Sequence, residues 1–183
     1  ISMKVSGFTF IKNATKLYIP LRESILSVLP LVDEFVIAVG DNDADDTTQQ
    51  IIDSVDSNKI KVIHTKWDTK TYIKNTEFAR QTDIAKEACT GDWLIYIQAD
   101  EAIHEQDHLA IQKAMQKYQN DEDVEGLLFK YRHFWGDYNH FHKSHNWYPR
   151  EIRIIKNSPQ IHSWRDAQSF RKFDSFDYSP SDY

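Results

Sequence analysis

"GDWLIYIQADE", residues 91–101, decides how the rest of the chain is read. Thr90, Gly91 and Asp92 form a turn signal, and an apolar run follows from Trp93 to Ile97. A short continuous apolar run after a turn describes a strand buried on both faces. It stops abruptly at Gln98, and Asp100, Glu101, His104 and Glu105 follow. A buried strand that ends in charge has to open onto solvent or a ligand.

Upstream, the same strand signal recurs at residues 5–11, 35–39 (FVIAV) and 60–63. Helical periodicity fills the gaps. Pro20 suits a first turn, with Leu21, Ile25, Val28 and Leu29 on one face. Thr47 or Asp46 caps a helix carrying Ile51, Ile52 and Val55. Asn75 or Thr76 caps a longer one with Phe78, Ala85, Ala88 and Cys89 inward. Downstream, Leu109, Met115 and Tyr118 mark another helix. Strands alternating with helices predict an α/β fold, an open and mostly parallel sheet with helices on both faces. Beyond Asn120 the character changes to long strand-like runs at 124–134 and 151–156. Between them lies "HFWGDYNHFHKSHNWYPR", rich in aromatics and histidine.

The gross composition narrows the classes. A chain of 183 residues buries one sizeable core, which predicts one domain. Its net charge of -6 argues against a general nucleic-acid binder. No run approaches a membrane span, and residues 1–10 lack the basic start and apolar middle of a signal peptide. Ile1 and Ser2, ahead of Met3, read as an addition to the natural start. Cys89 is the single cysteine, which excludes an internal disulfide and fits a cytoplasmic location. Residues 173–183 form a tail or the cut end of something longer, leaving residues 1–172 as the domain.

Ligands of parallel α/β sheets sit beyond the carboxyl ends of the strands. Here the first strand ends in Lys12-Asn13, the second in "GDNDADDT" (40–47) and the fourth in "QADE" (98–101). Two carboxylate-rich ends in one crevice suit a hard divalent cation, through which an acidic pocket accepts a diphosphate.

These segments, in this order, resemble family 2 glycosyltransferases of the GT-A fold. "FTFIKN" is similar to that family's first strand and Asn loop, "GDNDADDT" to its D-D-G-S-x-D-x-T and Ala79-Arg80-Gln81 to its A-R-N. "GDWLIYIQADE" resembles the strand ending in D-A-D-D/E. "WYPREIRIIKN" is similar to a segment of bacterial glucosyltransferases that build cell-surface polysaccharide. The resemblance covers roughly residues 4–170. It implies transfer of a sugar from a nucleotide-diphosphate sugar to a saccharide or lipid-linked acceptor, with inversion and Mg²⁺ or Mn²⁺. It implies nucleotide binding by Asn13, Asp41, Arg80, Gln98 and Asp100, with Asp41 near the base and Arg80 closing over it. Asp100 is then the main metal ligand, and His162 a further metal or diphosphate contact. Gln98 departs from the family pattern: it replaces the first aspartate of the metal motif, and an amide is no carboxylate ligand but can hydrogen-bond ribose or phosphate. Asp100 and Gln98 are expected on one side of an extended strand end. Relatives commonly continue into helices that bind acceptor or membrane, which implies peripheral membrane association through such a continuation.

Inversion needs one general base to deprotonate the acceptor. Asp137, Glu151 and Asp166 are the candidates. Glu151 is expected to pair with Arg153 or Arg150, and Asp166, in a polar loop after the last strand, is preferred as the catalytic residue. His133, His140, His142 and His145 could form a zinc site, but no CxxC accompanies them. The favoured reading is a loop lining the acceptor side, with Trp135, Tyr138, Phe141, Trp147 and Tyr148 stacking on sugars. Asp43, Asp45 and Asp46 read better as a solvated turn capping the next helix than as ligands. A sugar-1-phosphate nucleotidyltransferase is disfavoured because the first loop lacks a glycine-rich cradle. A non-catalytic sugar- or nucleotide-binding domain is the main rival, since Gln98 weakens the metal motif.

Overall fold

The computed structural model describes residues 2–142 and 148–178. The elements run β1 (Val5–Ile11), α1 (Leu21–Val28), β2 (Glu34–Val39), α2 (Thr48–Asp53), β3 (Ile60–His64), α3 (Thr76–Glu87), β4 (Trp93–Tyr96) and α4 (His108–Tyr118). Then come β5 (Gly126–Lys130), β6 (Phe134–Trp135), β7 (Asp137–Phe141), β8 (Arg150–Lys156), β9 (Ile161–Trp164) and β10 (Ser169–Lys172).

Six strands form one sheet in the order β3-β2-β1-β4-β8-β5. β1, β2, β3 and β4 run parallel, and only β8 runs against its neighbours β4 and β5. The continuous apolar runs of β2 and β4 are the reason these strands lie inside, since helices cover both of their faces. Phe35, Ile37, Trp93 and Ile95 point into a core shared with Leu21 and Ile25 of α1 and Met115 of α4. Val36, Leu94 and Tyr96, one residue out of phase, point into a second core with Ala85 of α3 and Phe170 of β10. That alternation is the two-residue period of a strand made visible.

α3 buries an unusually polar face: Glu77, Gln81, Asp83 and Lys86 all lie inside. Each has a partner, as burial of charge demands. Asp83 accepts from the Ser163 N–H at 2.8 Å and the Tyr178 hydroxyl at 2.5 Å, tying β9 and the tail to the helix. Residues 173–178 thus pack on the domain, with Phe176 stacked on Phe173 and on His162.

Several expectations need correction. β4 ends at Tyr96, and the expected long strand at 124–134 breaks after Lys130. α4 buries Ile111 and Met115, while Leu109 is exposed. Residues 151–156 are not the last strand, because β9 and β10 form a further antiparallel pair. The aromatic stretch is partly a hairpin, β6–β7, rather than a loop, with Trp135 and Tyr138 exposed. His145 and Trp147 lie outside the described residues. No described helix is long and apolar enough to cross a membrane.

Candidate functional site

β1, β2 and β4 are adjacent and parallel, so Asn13, Asp41 and Asp100 leave the sheet at one end. The first two loops are stitched together. The Asn13 N–H donates to Asn42 Oδ1 at 2.7 Å, and Asn13 Oδ1 accepts from the Asp43 N–H at 2.8 Å. Lys16 bridges Asp43 and Asp45, each at 2.8 Å, and Asp46 accepts from the Thr48 N–H at the start of α2. These three aspartates therefore serve the turn. Asp41 is different. It receives the Trp67 N–H at 3.1 Å and Lys12 Nζ at 3.0 Å, yet its side chain stays 44% exposed. The Trp67 N–H and Lys12 together hold its carboxyl below the ordinary range, outweighing the larger single effect of desolvation.

Trp67 was not visible as a site residue. Its ring lies against Phe10 and Phe78 with centroids 5.9 and 5.4 Å away. It also crowds Gly40: a Cβ there would stand 2.5 Å from the indole Nε1. Gly40, where the family pattern has an aspartate, is thus the gap that admits the indole. Arg80 has no described hydrogen bond or ion pair to Asp41. It makes a two-pronged pair with buried Glu77 at 2.8 and 2.7 Å, donates to the Lys66 carbonyl at 3.1 Å, and faces the Tyr72 ring. It supports the loop that delivers Trp67 to Asp41.

The β4 end is a turn, not an extended strand. The Glu101 N–H donates to the Gln98 carbonyl at 2.9 Å, so Gln98 and Asp100 do not alternate along a strand. Glu101 accepts from Arg153 at 3.0 and 2.8 Å, a buried two-pronged pair with the guanidinium 3% exposed. Arg153 lies 5.2 Å from the ring centroids of both Tyr96 and Tyr131. Burial pushes the Tyr131 hydroxyl well above its ordinary range, and the neighbouring Glu101 charge adds to it. Glu151 pairs with neither Arg150 nor Arg153 but accepts from Gln168 Nε2 at 2.8 Å. Asp100 is exposed as a residue, and no described side chain bonds to it. Desolvation first, then the Glu101 charge, push its carboxyl above the ordinary range.

Asp166 lies on the turn between β9 and β10 rather than after the last strand, and it is exposed. That turn is bonded to the β4 end. Gln98 Nε2 donates to the Ala167 carbonyl at 3.1 Å, and Arg153 donates to the Gln168 carbonyl at 2.8 Å. Of the three base candidates, Asp137 is occupied by the His140 side chain and two backbone N–H groups, and Glu151 by Gln168. Asp166 alone keeps its carboxylate unengaged by any described side chain. His162 makes no described bond to Asp100. Its Nδ1 meets Asp83 Oδ2 at 3.0 Å and its ring stacks on Phe176.

The donor set decides how a divalent cation would fit. Glu101 is neutralised by Arg153 and the Gln98 amide is occupied, so Asp100 is the one available carboxylate of the described turn after β4. Among the described residues no three His, Cys, Asp or Glu side chains gather to hold a metal. Mg²⁺ characteristically uses one or two carboxylates together with substrate phosphates. The site therefore fits a cation shared with a diphosphate and does not fit an all-protein cage. A cation would also relieve the charge crowding at Asp100.

The Glycosyl transferase family 2 model matches residues 13–176. No curated protein sequence matches the chain. The fold is that of crystal structures of S. aureus TarS 1–349. The complex with UDP has a TM-score of 0.52 and 19% identity over 74% of this chain and 37% of that one. The complex with UDP-GlcNAc has a TM-score of 0.51 and 20% identity over 74% and 36%. The chain spans little more than a third of the length of either. With the GT-A architecture in place and the family match running through most of its length, the chain belongs to glycosyl transferase family 2.

Proposed function

We propose that this domain transfers a glycosyl group, with inversion, from a nucleoside-diphosphate sugar to a hydroxyl of a saccharide or lipid-linked acceptor. The observation that carries this is the cross-link between two turns. The turn bearing Asp100 and the turn bearing Asp166 are joined by the Gln98–Ala167 and Arg153–Gln168 bonds. A lone carboxylate for the diphosphate side and an unengaged carboxylate for the acceptor side thus share one end of the sheet.

Asp41, oriented by Lys12 and the Trp67 N–H, accepts from a ring N–H of the base. TarS holds UDP and UDP-GlcNAc, which makes uridine the first nucleotide to test. Asp100 would hold Mg²⁺ or Mn²⁺ with the diphosphate, and when bound that ion stabilises negative charge on the departing group. Asp166 takes the proton from the acceptor hydroxyl oxygen, sharpening its attack on the anomeric carbon. Exposed rings at Trp135 and Tyr138 offer faces on which an acceptor sugar can stack.

Calorimetry of UDP binding with and without MnCl₂, paired with hydrolysis of UDP-sugars, tests the reading. Mn²⁺ should tighten UDP binding, and Asp100→Asn should remove that gain. Asp166→Asn should keep UDP binding and lose turnover. UDP binding without any turnover would favour the non-catalytic domain, for which the single carboxylate speaks.

A further inference from the structure

The Asp166 turn holds an unfavourable backbone. Arg165 and Ala167, on either side of Asp166, have φ of 58° and 65°. A left-handed conformation is disfavoured for a residue with a side chain, and it persists where the surroundings over-determine it. Two of the bonds that do so come from across the site. Arg153 holds the Gln168 carbonyl, and Gln98 holds the Ala167 carbonyl. Ala167 itself is fully buried. Gln98 is in turn rigid. Its N–H donates to Glu101 Oε2 at 3.1 Å, and its carbonyl accepts from the Glu101 N–H at 2.9 Å and from Ser24 Oγ at 3.1 Å.

We infer that Gln98 is a positioning residue, whose amide N–H clamps the Ala167 carbonyl and so sets where Asp166 stands relative to Asp100. This rests on the assignment of Asp166 as base. It explains why an amide replaces the aspartate at this position. A carboxylate there has no proton to donate, and it would face the Ala167 carbonyl with like partial charge beside Asp100 and Glu101. Gln98 thus acts on the second carboxylate of the site rather than on the nucleotide. It follows that restoring the acid at this position would not improve metal use.

The test uses Gln98→Glu, which keeps the reach and removes the donor, and Gln98→Met, which removes donor and charge together. Three readouts are taken on the whole chain: backbone hydrogen exchange, UDP affinity with and without MnCl₂, and UDP-GlcNAc hydrolysis. Losing the clamp should speed exchange of the Trp164 and Ser169 amides, paired at the foot of the turn, by about tenfold in both variants, the scale of one lost hydrogen bond. Amides of β1 and β4 should stay protected. UDP affinity should stay unchanged with and without Mn²⁺, and kcat for hydrolysis should fall with KM unmoved. Unchanged exchange at the foot of the turn overturns the inference. So does Gln98→Glu that strengthens Mn²⁺-dependent UDP binding, or Gln98→Met that weakens UDP binding, since either would make Gln98 a ligand of the nucleotide site. If the unaltered chain neither binds UDP nor hydrolyses UDP-GlcNAc, the transferase reading fails, and the exchange result alone decides the clamp.

Discussion

Replacing Arg153 by methionine should be the most damaging single change near the site. Its guanidinium is 3% exposed and makes both prongs of the pair with Glu101. Methionine fills much of the space between Tyr96 and Tyr131 but leaves the Glu101 carboxylate, 15% exposed, without its cation. It also frees the Gln168 carbonyl. Removing one partner of a buried pair costs about 3–5 kcal/mol, because an uncompensated charge stays inside. For a domain of this size each kcal/mol lowers Tm by roughly 2–4 °C, so a fall of roughly 10 °C is expected. Arg153→Met/Glu101→Leu removes both charges and should recover most of that loss. Thermal unfolding of the unaltered chain, both single variants and the double variant closes the cycle. The reasoning is refuted if Arg153→Met costs less than about 1 kcal/mol, the value of an exposed pair, or if the double variant is no more stable than the single.

Asp100→Asn should raise the stability of the ligand-free chain slightly, because the carboxyl is held above its ordinary range and its charge disfavours the fold at neutral pH. A melting comparison without metal checks this, and a lowered Tm would contradict it. Gly40→Ala should cost about 1–3 kcal/mol by overpacking, since the new methyl meets the Trp67 ring at 2.5 Å, and should weaken UDP binding by displacing the Asp41 contact. Asp41→Ala should weaken UDP binding by about 1–3 kcal/mol in calorimetry, the scale of a hydrogen bond to a charged group. Acid should destabilise the fold through Glu34. Burial alone would raise its pKa, but Lys61, the Ser6 hydroxyl at 2.6 Å and Thr90 hold it down from 4.5 to about 2. A depressed carboxyl contributes stability above its unfolded value, lost as pH falls from 4.5 towards 2. At about 1.4 kcal/mol per pH unit that is at most about 3 kcal/mol, and Glu34→Gln should flatten this limb of the stability curve.

From sequence alone, the alternation of strand and helix was legible up to α4. The strands are short and continuously apolar, the helices carry one apolar stripe, and each signal is local. β1 was read with its observed boundaries for that reason. Asp41 and Asp100 were placed at one end of the sheet by the same logic, since parallel neighbours present their carboxyl ends together. β9 and β10 were not legible: two four-residue segments, IHSW and SFRK, are too short and too polar to show a period, and gain strand form by pairing with each other and packing against α3. The pairing of Glu101 with Arg153 across 52 positions was equally out of reach. A signal did exist, because an arginine inside the run "EIRIIK" must be buried with a partner. Which acid answers it depends on β8 lying antiparallel beside β4. The role of Gln98 follows the same rule: its type told what it could not ligate, whereas its partner was set by a turn brought in from nearly seventy residues away. Local patterning specifies elements, because periodicity and turn chemistry act over a few residues. The satisfaction of buried charge and amide groups is decided by tertiary structure, because only the folded chain brings distant donors within reach of their acceptors.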